Sequence, residues 1–414
     1  MAAQQIATVS PAASKAKPQD ECPTAAYLHI PFCRRRCFYC DFPISVVGDR
    51  ARGETSGTIV QYVEVLEREI LITGQDGRSP LETVFFGGGT PSLLSVAQVD
   101  RLLTRLDQHF GIATQAEISM EMDPGTFDLS HVQGYGAAGV NRISLGVQSF
   151  QADSLQACGR THRPEDIPLA VDLIRRAGLD NYSLDLISGL PHLTLERWQE
   201  NLDRAIALDP AHLSIYDLTV EPGTAFAQRY RPGEAPLPTD EATAQMYRLA
   251  QQVLTQRGFQ HYEISNYARP GYSCRHNRVY WENRPYYGFG MGAASYVNYQ
   301  RFSRPRTRRE YFQWVETLEA AGGRLAHPTT PFQERLLDTL MLGLRLADGL
   351  DLLRLELEFG KGAIARILTC LQPHLQRGWV DQTPSRIRLT DPEGFLFSNV
   401  VLSDLFEALS ESPV

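Results

Sequence analysis

From Ala25 onward, short runs rich in β-branched and aromatic residues alternate with stretches whose apolar positions recur every three or four residues. The runs read as strands over 27–32, 83–86, 117–122, 142–148, 182–187 and 212–220. Between them, Val99, Leu102, Leu103, Leu106 and Phe110 share one helix face. Ile167, Ala170, Val171 and Ile174 share another, as do Met246, Ala250, Val253 and Leu254. Gly178 and Gly258 sit where glycines end helices. Six strand–helix units in succession predict an α/β fold with a parallel sheet. Periodicity does not distinguish an open doubly wound sheet from a curved partial barrel.

The pattern changes past residue 330. Leu336, Leu337, Leu340 and Leu344 lie on one helix face, and 351–359 and 364–375 read as two more helices. Residues 379–380 and 387–389 read as a hairpin before a last helix over 399–409. Four helices and a hairpin predict a small winged-helix-like α+β module. This segment carries eight Lys/Arg against twelve Asp/Glu, the wrong balance for phosphate, so it reads as a lid or docking module. The chain divides into a disordered tail over 1–22, a β/α core over 23–260, an extension over 261–330 and the module over 331–414.

A chain of 414 residues with 43% hydrophobic and 21% charged residues is ordinary for a globular protein. The net charge of −8 argues against nucleic acid as a partner. No run of 18 apolar residues predicts a membrane helix, and the first residues lack the apolar core of a secretory signal. Seven cysteines, three of them in one loop, suit a reducing compartment. The expectation is a cytoplasmic protein.

The three are Cys33, Cys37 and Cys40, spaced C-x3-C-x2-C directly after the first strand. Thiolates hold iron–sulfur clusters, and a four-iron cluster has four irons to ligate. Three local thiols leave one iron for a distant ligand or a small molecule. A structural zinc loop would need a second His/Cys pair, and none with that spacing follows. Other polar residues fall at successive strand ends, where parallel β/α folds place their sites. These are the turn Gly87-Gly88-Gly89-Thr90-Pro91, then Glu121, Gln148 and Asp185. Glycines admit a ligand close to backbone N–H groups, and carboxylates accept from hydroxyls and ammonium groups.

The stretch Y-L-H-I-P-F-C-R-R-R-C-F-Y-C-D-F closely resembles the radical S-adenosylmethionine (SAM) superfamily. Within it, the match is to the branch of oxygen-independent coproporphyrinogen III oxidases and HemW-type heme chaperones, and runs from about Tyr27 to the C-terminus. The oxidases resemble C-x3-C-x2-C-x-C here. This chain has Phe42 at the last position, as the chaperones do. The resemblance implies a (β/α)6 three-quarter barrel and a [4Fe–4S] cluster on Cys33, Cys37 and Cys40. It implies SAM on the open iron, where reduction releases a 5′-deoxyadenosyl radical. It further implies SAM contacts from Gly88, Gly89, Thr90, Glu121, Gln148, Arg160 and Asp185, with Tyr27 and Tyr39 around the cluster.

The segment Cys274-Arg275-His276-Asn277-Arg278-Val279-Tyr280-Trp281 puts a histidine among aromatics and arginines. On the residues alone, a histidine satisfied by core hydrogen bonds is the ordinary reading. The match of His276-Asn277-x-x-Tyr280-Trp281 to the chaperone motif HNxxYW implies a heme ligand instead, in a partly open site where the barrel edge meets the C-terminal module. Five arginines between Arg301 and Arg309 could pair with propionates or lipid phosphates, although a solvated basic loop is the default. Arg34–Arg36 beside the cysteines would favour an electron donor with an acidic face. The expected function is a heme chaperone delivering heme to respiratory apo-proteins, with possible peripheral membrane contact. A coproporphyrinogen oxidase is the alternative.

Overall fold

The computed structural model describes residues 22–49, 52–75 and 79–410; nearly all of the tail expected over 1–22 lies outside them. Six parallel strands form the body of one sheet: β1 (Ala25–Ile30), β2 (Leu81–Gly88), β3 (Ile112–Met122), β4 (Arg142–Gln148), β5 (Tyr182–Ser188) and β6 (His212–Asp217). Each leads to a helix: α1 (Gly57–Ile72), α2 (Val96–Phe110), α3 (Leu129–Ala138), α4 (Asp166–Arg176), α5 (Leu195–Ala207) and α6 (Asp240–Gln256). Gly178 and Gly258 have the positive φ expected of helix-ending glycines.

Three further short strands complete the sheet: β7 (Gln260–Glu263), β8 (Asn266–Ala268) and β9 (Tyr287–Phe289). The order is β9-β1-β2-β3-β4-β5-β6-β8-β7. β9 runs parallel to β1, whereas β8 is antiparallel to both β6 and β7. The order ends on β9 and β7, which do not pair with each other, so the sheet does not close, as a partial (β/α)6 barrel requires. β9 is the edge strand beside β1. Gly288 permits it, since a Cβ there would stand 1.8 Å from Ala294 O.

The strands alternate with period 2. Leu28, Val84, Phe86, Met120, Ile143, Leu145, Leu184 and Leu213 are buried in the apolar core. The intervening positions carry Tyr27, Thr83, Glu117, Ser119, Glu121, Arg142, Ser144, Ser183, Asp185, His212 and Ser214. Registers Thr83↔Glu117, Ser119↔Arg142 and Ser144↔Ser183↔His212 put these on one face. One side of the sheet is thus oil against the helices, and the other is a polar lumen.

Residues 332–409 form their own apolar cluster around Leu336, Phe359, Ile367, Ile387 and Leu405. Its helices are α9 (Phe332–Gly343), a pair meeting at non-helical Gly360 within Leu352–Gln376, and Ser398–Ser410. A three-stranded sheet adds Leu350–Asp351 to the expected hairpin. The module docks on the β7 edge: Ile264 N donates to Arg345 O (2.9 Å), Ala347 N to Tyr262 O (3.0 Å), and Arg248 pairs with Glu393. None of its described residues lines the cavity described next.

Candidate functional site

The loop after β1 carries the three thiols, and backbone bonds pin it on both sides. Thr90 N donates to Phe32 O (2.7 Å), Phe38 N to Cys158 O (2.9 Å) and Phe226 N to Phe38 O (2.9 Å). His29, buried in β1, donates from Nε2 to Pro43 O (3.0 Å) and receives Tyr27 OH on Nδ1 (3.1 Å). The loop thereby holds Cys33, Cys37 and Cys40 at the rim of a cavity of about 390 Å³ at the C-terminal strand ends.

Gly88, Gly89, Thr90, Glu121, Gln148, Arg160, Asp185 and Tyr39 line the same cavity. Tyr27 does not line it, being half-buried in β1 and stacked on Phe85. The glycine turn is a tight cradle. Gly88 has φ +114, and a Cβ on it would meet the His29 ring at 2.5 Å; one on Gly89 would meet Phe32 O at 2.7 Å. At the end of β4 the register with β5 shifts between Gly146 and Gln148, and Gln148 has φ +64. Such irregularities re-aim a side chain at sites, and here Gln148 joins the cavity wall.

The thiols have polar neighbours suited to a cluster. Thr90 Oγ1 donates to Cys33 Sγ (3.8 Å) and Arg160 Nη1 to Cys37 Sγ (3.6 Å); such outer contacts tune a metal site. Arg160 also pairs with Asp123 and donates to Gly146 O (2.9 Å), while its Nε has no partner. Burial pushes the Cys33 thiol up to about 12, and the Asp123 charge adds to this. A thiolate there needs the positive charge of bound metal. Among the described residues no three His, Cys, Asp or Glu are placed to share one metal ion. The donor set fits a multi-iron cluster with one iron left for a small molecule.

The same cavity holds two half-buried carboxylates. Glu121 Oε2 accepts Gly88 N–H (2.9 Å). Desolvation raises its pKa to about 8; the Gly88 bond opposes this, whereas Asp185 and Asp123 add to it. Asp185 accepts from Ser144 (2.9 Å) and Ser183 (3.0 Å), and burial raises it too. Asp123 follows Glu121 at the same strand end, whereas Ser144 and Ser183 were not singled out from the sequence. The signal was present for the two serines in the period-2 polar positions of β4 and β5.

His276 is elsewhere. It lies on α7 (Arg275–Trp281), whose N-terminal N–H groups donate to Glu117: Arg275 N at 3.0 Å and His276 N at 3.0 Å. Thr83 lies in the first half of β2 and pairs with Glu117 of β3, so α7 plugs the lumen at the end opposite the cysteines. At about 3.3 Å per residue, Thr83 is roughly 15 Å along β2 from Gly88. His276 is 0% exposed. Its Nδ1 bonds Thr83 Oγ1 (2.8 Å) and its Nε2 bonds Tyr280 OH (2.7 Å). Burial lowers its pKa to about 3, and Arg142 adds to the effect. The open imidazole expected at a barrel edge is therefore corrected: the ring is sealed, and both nitrogens are engaged.

A parallel sheet with cysteine thiols and a glycine cradle at one end is the arrangement of a radical SAM protein, and residues 27–205 match the Radical SAM superfamily. Residues 332–397 match the HemN C-terminal domain. The chain is 48% identical over 405 residues to "Heme chaperone HemW" of Synechocystis sp., covering 94% of this chain and 98% of that one. The Bacillus subtilis protein of the same name is 32% identical, with 91% and 97% covered. The chain belongs to the HemW family. Its structure is similar to coproporphyrinogen III oxidase (HemN) from Escherichia coli, with TM-score 0.77, 25% identity, and 95% of this chain and 91% of that chain covered. Superfamily membership makes a [4Fe–4S] cluster and SAM its cofactors; when bound, they supply one-electron radical chemistry. No helix among the described residues is long and apolar enough to cross a membrane.

Proposed function

We propose that this chain is a heme carrier that retains a SAM-binding cluster, and that it is not a coproporphyrinogen oxidase. The observation that carries the reading is the 48% identity across nearly the whole length of a chain named a heme chaperone. Phe42 agrees with it: where the oxidases resemble a further cysteine, this chain holds an aromatic ring, 57% exposed. Cys33, Cys37 and Cys40 hold the cluster in this reading. Gly88, Gly89, Thr90, Glu121, Gln148, Arg160 and Asp185 contact SAM, with Tyr27 and Tyr39 as supports.

The core over 23–260 holds the cofactors, the extension over 261–330 completes the lumen, and 331–414 is the surface offered to the recipient. The recipients are apo heme proteins of the respiratory chain, met at the membrane surface. An electron donor with an acidic face reaches the cluster beside Arg34–Arg36. His276 can serve as iron ligand only if Tyr280 swings away and frees Nε2.

Anaerobic reconstitution followed by titration with heme and, separately, coproporphyrinogen III tests the reading. Heme binding with no conversion of coproporphyrinogen is the expected result. Restored growth of an oxidase-deficient strain on heme-free medium, through this chain alone, would overturn it.

A further inference from the structure

The fold divides the five arginines of 301–309. Arg304 is buried against Glu69 (2.8 Å). Arg301 lies over the Tyr296 ring and beside Asp338 (3.4 Å). Arg306, Arg308 and Arg309 stand with Arg36 around a groove of about 810 Å³, between the cysteine loop and the first turns of α8 (Arg308–Ala320). Four guanidiniums and one carboxylate, Asp41, line it, in a chain whose net charge is −8. Among the described residues none of the four is in an ion pair. Arg36 donates to the carbonyls of Cys40 (3.2 Å) and Phe42 (3.3 Å), and Arg306 to that of Asp41 (2.7 Å). These partners are neutral carbonyls, and Asp41 is the one carboxylate among the described groove residues.

The groove wall is preorganised. Those three bonds and His29 on Pro43 O hold residues 40–43 in place. Gly292, at φ +76, brings the extension so close that a Cβ would stand 2.3 Å from Pro43 Cγ. Phe42 and Phe312 both line the groove. Its volume is that of a small-molecule site, roughly 300–1,000 Å³. The fitting occupant is a flat apolar body with carboxylates on one edge. Guanidinium pairs carboxylate, and an exposed aromatic ring covers a planar π-system.

We infer that heme sits in this groove, its propionates on Arg308 and Arg309 and one macrocycle face against Phe42. The inference rests on the carrier reading above. Among the described residues no histidine or cysteine lines the groove, and Met291, the one side chain there of a heme-ligating type, is buried; the propionates and the ring face therefore carry the affinity.

The test is titration of the full chain, with its cluster reconstituted anaerobically, by hemin, hemin dimethyl ester and metal-free protoporphyrin IX. Arg308→Ala/Arg309→Ala, Phe42→Ala and His276→Ala are compared with the parent. The esters should bind on the order of tenfold more weakly than hemin, and the double arginine variant should abolish that difference. Metal-free protoporphyrin IX should bind nearly as well as hemin, and Phe42→Ala should weaken both. Unchanged hemin affinity in the arginine and Phe42 variants, with loss in His276→Ala, would overturn the groove and leave the carrier reading standing. Loss of cluster reduction by an acidic electron-carrier protein, with porphyrin affinity unchanged, would make the patch a protein-docking surface and also overturn it. No hemin binding by the parent would overturn both.

Discussion

Thr83 Oγ1 and His276 Nδ1 stand 2.8 Å apart, and this contact holds the histidine at the first half of β2, five residues from the glycine cradle at Gly88. The motif that would suggest a metal ligand is, in the folded chain, the plug of the lumen. Tyr280 closes the other nitrogen, and Glu117 caps the helix that carries it.

His276→Ala should therefore destabilise the fold by about 2–4 kcal/mol, since it leaves Thr83 and Tyr280 without a partner and opens a cavity between them. Denaturant unfolding would read this as a lower midpoint. Iron content should be unchanged, because the ring is far from the thiols. A fully stable variant would contradict the plug.

Replacing Cys33, Cys37 or Cys40 by Ala should abolish the cluster absorption and the iron stoichiometry. Cys158, Cys274 and Cys370 should be dispensable: Cys158 and Cys274 are buried, and neither they nor Cys370 lines the cavity. Iron and sulfide analysis of the single variants checks this. A triple variant of the loop that kept a full complement of both would refute it.

Glu69 accepts from Arg304 Nε (2.8 Å), Gly290 N (2.8 Å) and Tyr311 OH (2.6 Å) in a fully buried setting. Glu69→Ala leaves the Arg304 guanidinium buried without its charge partner and should cost about 3–5 kcal/mol. Because these bonds tie the extension to α1, hydrogen exchange should rise across 287–304 more than in β3 or β4.

Stability should fall on both sides of mildly acid pH in the cofactor-free chain. Glu121 is raised from 4.5 to about 8, so its contribution is complete below 4.5 and is lost as pH rises through 8. His276 is lowered from 6.5 to about 3, so its contribution is complete above 6.5 and is lost as pH falls through 3. His29 and His162, both near 4, act in the same direction as His276. Glu263, raised by burial to about 7, acts in the same direction as Glu121, so Glu121→Gln should make the limb between about pH 5 and 8 shallower without removing it, and leave the acid limb in place. Unfolding midpoints measured across pH 3–9 would show an unaltered alkaline limb if Glu121 were ordinary.

The six strand–helix units were legible because burial imposes period 2 on a strand and 3.6 on a helix, and both repeats survive in the order of residues. The cysteine loop was legible for a related reason. Its ligands are neighbours in the chain, so spacing carries the chemistry. Glycines and carboxylates at successive strand ends could be assigned to one rim because parallel β/α units all point the same way.

What the chain order did not contain is which distant segments meet. β7, β8 and β9 are three or four residues long, too short to show a repeat, and they pair only because the core edges are there to receive them. His276 reads as a candidate ligand until Thr83, Glu117 and Tyr280 converge on it from 193, 159 and four residues away. The arginines of 301–309 look alike in sequence, yet one meets Glu69 in the core and three meet a groove built by residues 36–45. Local periodicity follows from local geometry. Burial and the pairing of charges depend on contacts between remote segments, and only the tertiary structure decides those.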